Sequence, residues 1–298
     1  MEEYTALIID LKSSRKYNIR ARNNIQEYIM HVVDVLNYIF RKSLEKDVDF
    51  SAGDEIQGLF SSTKAAYLYF RMFSMLVSPI EIRAGIGIGS WEVVIKDAGT
   101  TAQDGRAYHN ARYAIKAVEE SKGYSVLLFS GRSSDIIINS LLNSTALIIN
   151  KQSTYQNEIM LLSELLYPIN DDDIINTFKL RDIFELLRFK QDFFLYDYSN
   201  SFYMKGKHKI SLFQKIDYSN IEIESKPINF MYNKSSFFVE EGRVRGLPSQ
   251  LADLVGVSRQ SIEKTIKLGL IYEARNLAIT TLTYLEDVEM WKHLLEYF

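Results

Sequence analysis

Two carboxylates are placed where they could do chemistry together. Asp10 closes a short apolar run, Tyr4 to Asp10, and Asp54 follows Gly53 in the middle of residues 48–60. If the segments carrying them lie side by side, both side chains reach one edge of a sheet and repel unless a divalent cation neutralises them. Oxygen-only ligands with a shared triphosphate suit magnesium or manganese. A pair of such ions about 3.5–4 Å apart clamps the attacking and leaving oxygens of a phosphoryl transfer. Glu55 is a further carboxylate, expected on the other face of its strand. Lys12, Ser13 and Ser14, with Arg15 and Lys16, follow Asp10 and offer backbone N–H groups and basic heads to phosphates. The same stretch reads equally well as a solvated turn. Taken singly, Asp10 is a strand-end residue and Asp54 a turn residue, and only the surrounding elements raise them above that.

Those elements follow from periodicity. Residues 4–10 read as a buried strand, and residues 18–44 show helical spacing in Ile25, Ile29, Val32, Val33, Leu36, Ile39 and Phe40. Residues 48–60 form two half-strands around Gly53-Asp54, the chemistry of a hairpin turn. A second helix is expected over 62–77 and a strand over 80–89, continued by Trp91 to Ile95. A third helix covers 105–121 and a further strand 124–130. The order β-α-β-β-α-β-α-β begins with the six elements of a ferredoxin-like split β-α-β unit, a sheet covered by helices on one face, and so an α+β fold. In it the strands of Asp10 and Asp54 are neighbours.

Composition narrows the chemistry. The chain has 298 residues, no cysteine, 24% charged residues and a formal net charge of -3. Lack of cysteine excludes disulfides, thiolate zinc sites, iron–sulfur clusters and a cysteine nucleophile. At roughly 150 residues per domain the length suggests about two domains. The near-neutral charge confines any nucleic-acid contact to a local patch. There is no basic, apolar leader and no run of about 18 apolar residues, so a cytoplasmic protein without a membrane partner is expected. No Ser-His-Asp or histidine–metal spacing links His31, His109, His208 and His293. The glycines of residues 85–89 do not suit a dinucleotide fold, because a strand-like run follows them where a helix should start.

Residues 131–168 look helical. Residues 169–246 are mixed, with an acidic run at 170–173, a helix around 174–191 and an aromatic stripe at 193–203, and carry no motif. Residues 247–270 again have a pattern: Ala252, Gly256 and Ile262 stand at helix-turn-helix spacing. Ser258 can cap the second helix, which then presents Arg259, Gln260, Ser261 and Lys264, residue types suited to phosphates and base edges. Helix-turn-helix units also bind proteins. The chain divides into 1–131, 132–246 and 247–298.

Four segments carry a resemblance: residues 6–16, 50–60, 82–93 and 104–119. They are similar to class III nucleotidyl cyclases, and more closely to the bacterial SatD family, over about 1–168 and 247–270. The resemblance implies a cyclase-type palm domain with a C-terminal helix-turn-helix, magnesium or manganese held by Asp10 and Asp54, and a homodimer. Gly85 to Gly89 match the family's glycine strand, and Arg112 matches the catalytic arginine that steadies charge on the phosphates. Gly53, Tyr108 and Asn110 join Lys12, Ser13 and Ser14 as nucleotide-binding candidates. Tyr108 stands where cyclases have a catalytic asparagine, and Phe50 where they have a purine-selecting lysine. Nucleotide and metal binding are compatible with those departures. Purine cyclisation suffers, because a misplaced hydroxyl forfeits its proximity gain. The expected function is a nucleotide-responsive, DNA-binding regulator. A working metal-dependent nucleotidyl cyclase or transferase releasing pyrophosphate, and a non-catalytic scaffold, are the alternatives.

Overall fold

The structure, a computed structural model, describes residues 2–12, 19–170, 174–190, 223–228 and 238–295. The N-terminal elements are β1 (Tyr4–Leu11), α1 (Ile19–Ile39), β2 (Leu44–Ala52), β3 (Glu55–Phe60), α2 (Thr63–Val77), β4 (Ile82–Gly89), α3 (Arg106–Glu120) and β5 (Val126–Phe129). They form an open five-stranded sheet in the order β2-β3-β1-β4-β5. β1 lies antiparallel to both β3 and β4, and β5 joins β4 in parallel. The arrangement is mixed α and β, compatible with the α+β class expected.

Alternation along β1 decides which face packs on what. Leu7, Ile9 and Leu11 join the main core with residues of α1 and α2. Ala6 and Ile8 point the other way, into a smaller cluster with Leu59, Ala107, Ala111 and Ile115. Both faces of the sheet are therefore covered, α1 and α2 on one and α3 on the other, which corrects the expectation of helices on one face only: α3 lies beyond the six-element unit and packs on the face that unit leaves open. Strand β4 shows the same alternation with a purpose. Ala84 and Ile86 enter the main core, while a Cβ on Gly85 or Gly87 would collide with the backbone of α3 at 2.3 and 2.0 Å. The glycine strand lets helix and sheet backbones touch.

Strand β4 ends at Gly89. Residues 90–105 form a loop rather than the strand continuation expected from Trp91 to Ile95, with one isolated bridge between Val93 and Asp104. Gln103 organises it, accepting from Ile95 N and donating to the carbonyls of Ile95, Ala98 and Gly99.

Among the described residues six further helices follow: α4 (Asp135–Lys151), α5 (Thr154–Leu166), α6 (Asp182–Phe189), α7 (Leu247–Val255), α8 (Arg259–Leu268) and α9 (Ile271–Leu295). The helical stretch 131–168 is two helices, because Ser153 starts a new one with a capping box to Gln156. A single apolar core runs from the sheet through all the helices except α3. The acidic residues 171–173 and the aromatic stripe 193–203 lie outside the described residues. Among those described, no helix is long and apolar enough to cross a membrane.

Candidate functional site

The Gly53-Asp54 turn joins β2 to β3, with Ala52 paired to Glu55 across it. Gly53 has φ 64°, the left-handed backbone that a two-residue hairpin loop with glycine first requires. A two-residue turn brings the next strand residue, Glu55, directly opposite Asp10 in the register of β1 and β3. Cross-strand partners share a face. Glu55 therefore lies on the same face as Asp10, which corrects the expectation that it points away. Strand alternation does not carry through a turn, so Asp54 does not set the face of Glu55.

On the other side of β1, Asp10 is registered with Arg83 of β4, and their side chains form an ion pair at 2.5 Å. Arg83 also reaches Glu119 of α3 at 3.3 Å. From the same helix Arg112 grips Glu55 with both guanidinium nitrogens, one of them at 2.9 Å. The Ser51 hydroxyl donates to the same carboxylate. Three carboxylates, those of Asp10, Glu55 and Glu119, thus meet two guanidinium groups at one end of three adjacent strands, and Asp54 stands in the turn that leads into β3.

Electrostatics single out Asp10. Burial raises its pKa; Arg83 opposes the shift by charge and hydrogen bond, and the charges of Asp54 and Glu119 add to it. Desolvation and like charge together outweigh the arginine. Asp54 is thus near enough for its charge to be felt at Asp10. Among the described residues, however, no three Asp, Glu or His side chains converge to hold a metal ion.

The other candidates are dispersed. Tyr108 is buried against the sheet and its hydroxyl meets that of Thr100 at 3.2 Å, so it faces the interior. Asn110 spends its amide on the Ile88 carbonyl at 2.7 Å, holding α3 to β4. His109 pairs with Asp104 at 3.1 Å. Lys12 bonds Glu81 at 3.1 Å on the surface. Ser13 and Ser14 lie outside the described residues. Arg83 and Glu119 are absent from the candidates that the sequence offers, and Glu55 is among them on the wrong face. A signal for Arg83 existed: it sits two residues before Gly85 in β4, on the face that meets α3.

At the other end of the chain, α7 stops at Gly256, whose φ of 72° turns the backbone out of the helix. Ser258 then caps α8, its Oγ accepting from Ser261 N at 3.3 Å. Ala252 and Ile262 are buried between the two helices. Arg259, Gln260, Ser261 and Lys264 all stand exposed on α8, with Arg259 paired to Glu263 one turn on at 2.9 Å.

Comparison with known proteins adds one finding. No curated protein and no solved structure matches the chain. The model of the SatD family matches residues 4–201. The match spans the sheet and its charged edge. It also runs into the motif-free residues 169–246, which the resemblance left out, and it stops before α7. Covering well over half of the sequence from β1 through α6, it establishes that the chain belongs to the SatD family.

Proposed function

We propose that the chain is a nucleotide-responsive regulator: a cyclase-type palm domain binds a nucleoside triphosphate with magnesium, and a helix-turn-helix of α7 and α8 binds DNA. The observation that carries the reading is the charged edge around Asp10. A carboxyl held half-buried beside a second carboxylate, with its arginine outweighed, is a site short of positive charge. Two oxygen donors of this kind fit a hard divalent cation that takes its remaining ligands from phosphate and water. Magnesium or manganese, held by Asp10 and Asp54, would neutralise the phosphates against the carboxylates.

The protein's own groups then have distinct tasks. Arg112 presents a planar fork already occupied by the Glu55 carboxylate, and a phosphate offers the same bidentate geometry. Exchanging Glu55 for phosphate oxygens keeps the guanidinium satisfied. Arg83 holds Asp10 in place from the neighbouring strand. The strand order β2-β3-β1-β4 supports the palm assignment. The left-handed Gly256, the Ser258 cap and the exposed polar face of α8 support the helix-turn-helix. The resemblance further implies a homodimer.

The test is equilibrium titration of the full chain with each of the four nucleoside triphosphates, with and without magnesium. Binding that needs the metal and is lost in Asp54→Ala supports the reading; no binding of any nucleotide sinks it. For DNA, log affinity should fall linearly with log salt, and Lys264→Ala should reduce the slope by about one.

A second reading has an observation of its own. Asp10 and Arg112 both already have ion-pair partners, and Tyr108 and Asn110 are spent inside the fold. This favours a non-catalytic scaffold whose charged edge only ties α3 to the sheet. It argues against the remaining alternative, a working cyclase or transferase. Pyrophosphate release from any nucleoside triphosphate with manganese would reverse that ranking.

A further inference from the structure

Helix α2 carries a guanidinium that the nucleotide reading does not use. Arg71 is 2% exposed, and its Nη2 donates to Glu164 of α5. Arg275 of α9, itself fully buried, lies 3.1 Å from the same carboxylate oxygen. Among the described residues, two buried guanidinium groups thus share one carboxylate, and no second carboxylate pairs with either. Arg71 Nη1 and Arg275 Nη1 make no hydrogen bond among those residues, although the second stands within ion-pair distance of Glu164. Taking a charge out of water is costly, and a surplus cation in an apolar core recovers none of that cost. Such a cluster adds little to the strength of the core. It does impose one geometry on the three helices that meet there, where apolar contacts alone can repack.

Its place in the chain gives that geometry a use. Arg275 sits near the start of α9, just after α8 ends at Leu268. Its Nε donates to the carbonyl of Gly242 at 3.2 Å, and Gly242 N donates to Asn276 Oδ1 at 2.9 Å. A Cβ at position 242 would lie 2.8 Å from Arg275 Cβ and 2.9 Å from Asn276 N, so only glycine approaches this closely. Gly242 precedes α7, so the chain entering and leaving the α7–α8 pair is tied to one turn of α9. Arg275 Nη2 also donates to the Tyr167 carbonyl at the end of α5, at 2.6 Å. Past the end of α8, the Gly269 carbonyl accepts from Gln152, between α4 and α5, at 2.7 Å.

We infer that the Arg71–Glu164–Arg275 cluster is an orientation key, fixing the α7–α8 pair at one angle to the sheet at a cost in stability. Arg71 is the positioning residue, because of the three it alone stands on a helix that packs on the sheet. The exposed face of α8 is then held in one direction relative to the sheet and does not swing on a tether. The inference rests on neither the nucleotide nor the DNA reading.

The chain has no cysteine, so Lys116→Cys on α3 and Lys267→Cys on α8, both exposed positions, give a unique pair of spin labels on the full-length protein. Pulsed electron spin resonance reads the distance distribution between the labels, and thermal unfolding reads stability. The labelled parent should show one narrow distribution. Arg71→Met leaves one cation to one anion and removes the link to α2. The distribution should then broaden or split, while the melting temperature stays level or rises. A broad distribution in the parent, or an unchanged narrow one in Arg71→Met, overturns the inference. So does an Arg71→Met chain that melts well below the parent or does not fold, because the cluster would then serve stability and not direction.

Discussion

Replacing Gly87 by alanine adds one methyl group at the tightest contact between β4 and α3. The new Cβ would lie 2.0 Å from Ala111 N, 2.3 Å from Ala107 O and 2.7 Å from Ala111 Cα. All three are backbone atoms, so no side chain can swing aside. An ordinary contact begins near 3.4 Å, so α3 must lift by about 1.4 Å over this turn. That lift opens the cluster of Ala6, Ile8, Leu59, Ala107, Ala111 and Ile115 and strains the Asn110 bond to Ile88 O. A radial gap of this size forfeits much of the dispersion energy of each contact. Overpacking typically costs about 1–3 kcal/mol, and a rigid backbone clash belongs at or above the upper end. We expect a loss of about 3 kcal/mol, read as a drop of about 1 M in the urea midpoint. Gly99→Ala is the control: nothing lies within 4 Å of its Cβ and its φ is -64°. That change should be neutral or stabilising by up to about 1 kcal/mol. A Gly87→Ala protein as stable as wild type would refute the argument that these glycines serve helix–sheet contact.

Three further outcomes follow from the same geometry. The raised Asp10 pKa favours folding at low pH, and that contribution is lost as pH rises from the ordinary 3.8 through the folded-state value. Asp10→Asn cannot ionise and leaves Arg83 with Glu119, so it should gain stability relative to wild type above that window and not below it; urea midpoints across pH 3–8 check this, and a net loss at pH 7 contradicts it. Buried Glu164 of α5 pairs with two buried guanidinium groups, those of Arg71 in α2 and Arg275 in α9, so Glu164→Gln removes their shared counter-ion and should cost about 3–5 kcal/mol, far more than a surface pair, as measured by chemical denaturation. Ser258→Ala deletes the α8 cap and should cost about 1 kcal/mol, with faster amide exchange confined to the first turn of that helix.

The sheet was legible because its signals are local. Alternation in β1, the glycine turn before Asp54 and the Gly256–Ser258 turn each announce themselves within a few residues. The candidate site was half legible. Asp10 and Arg112 came from motif and resemblance, but their partners came from register. Arg83 and Glu55 meet them only because β1 lies between β4 and β3, and that pairing has no signature in either segment alone. The Arg71–Glu164–Arg275 cluster was out of reach, because its members lie far apart in sequence on helices whose spacing signals only that they are buried. The continuation of β4 through Trp91 to Ile95 misled for the opposite reason. Its residues suit a strand, yet the glycine approach of α3 ends pairing at Gly89, and Gln103 satisfies the loop instead.

The central claim is that the Asp10–Asp54 edge exists to hold a metal–nucleotide complex. Calorimetric titration with magnesium and each nucleoside triphosphate, on wild-type protein and on Asp54→Ala, tests it most directly. Asp54 sits partly exposed in a two-residue turn, outside both apolar clusters, so the variant should fold normally. The account predicts saturable, magnesium-dependent binding to wild type of at least one nucleotide, weakened at least about tenfold by the substitution. Binding that is absent from wild type, or indifferent to Asp54, would contradict it and leave the charged edge as an ion-pair strut between α3 and the sheet.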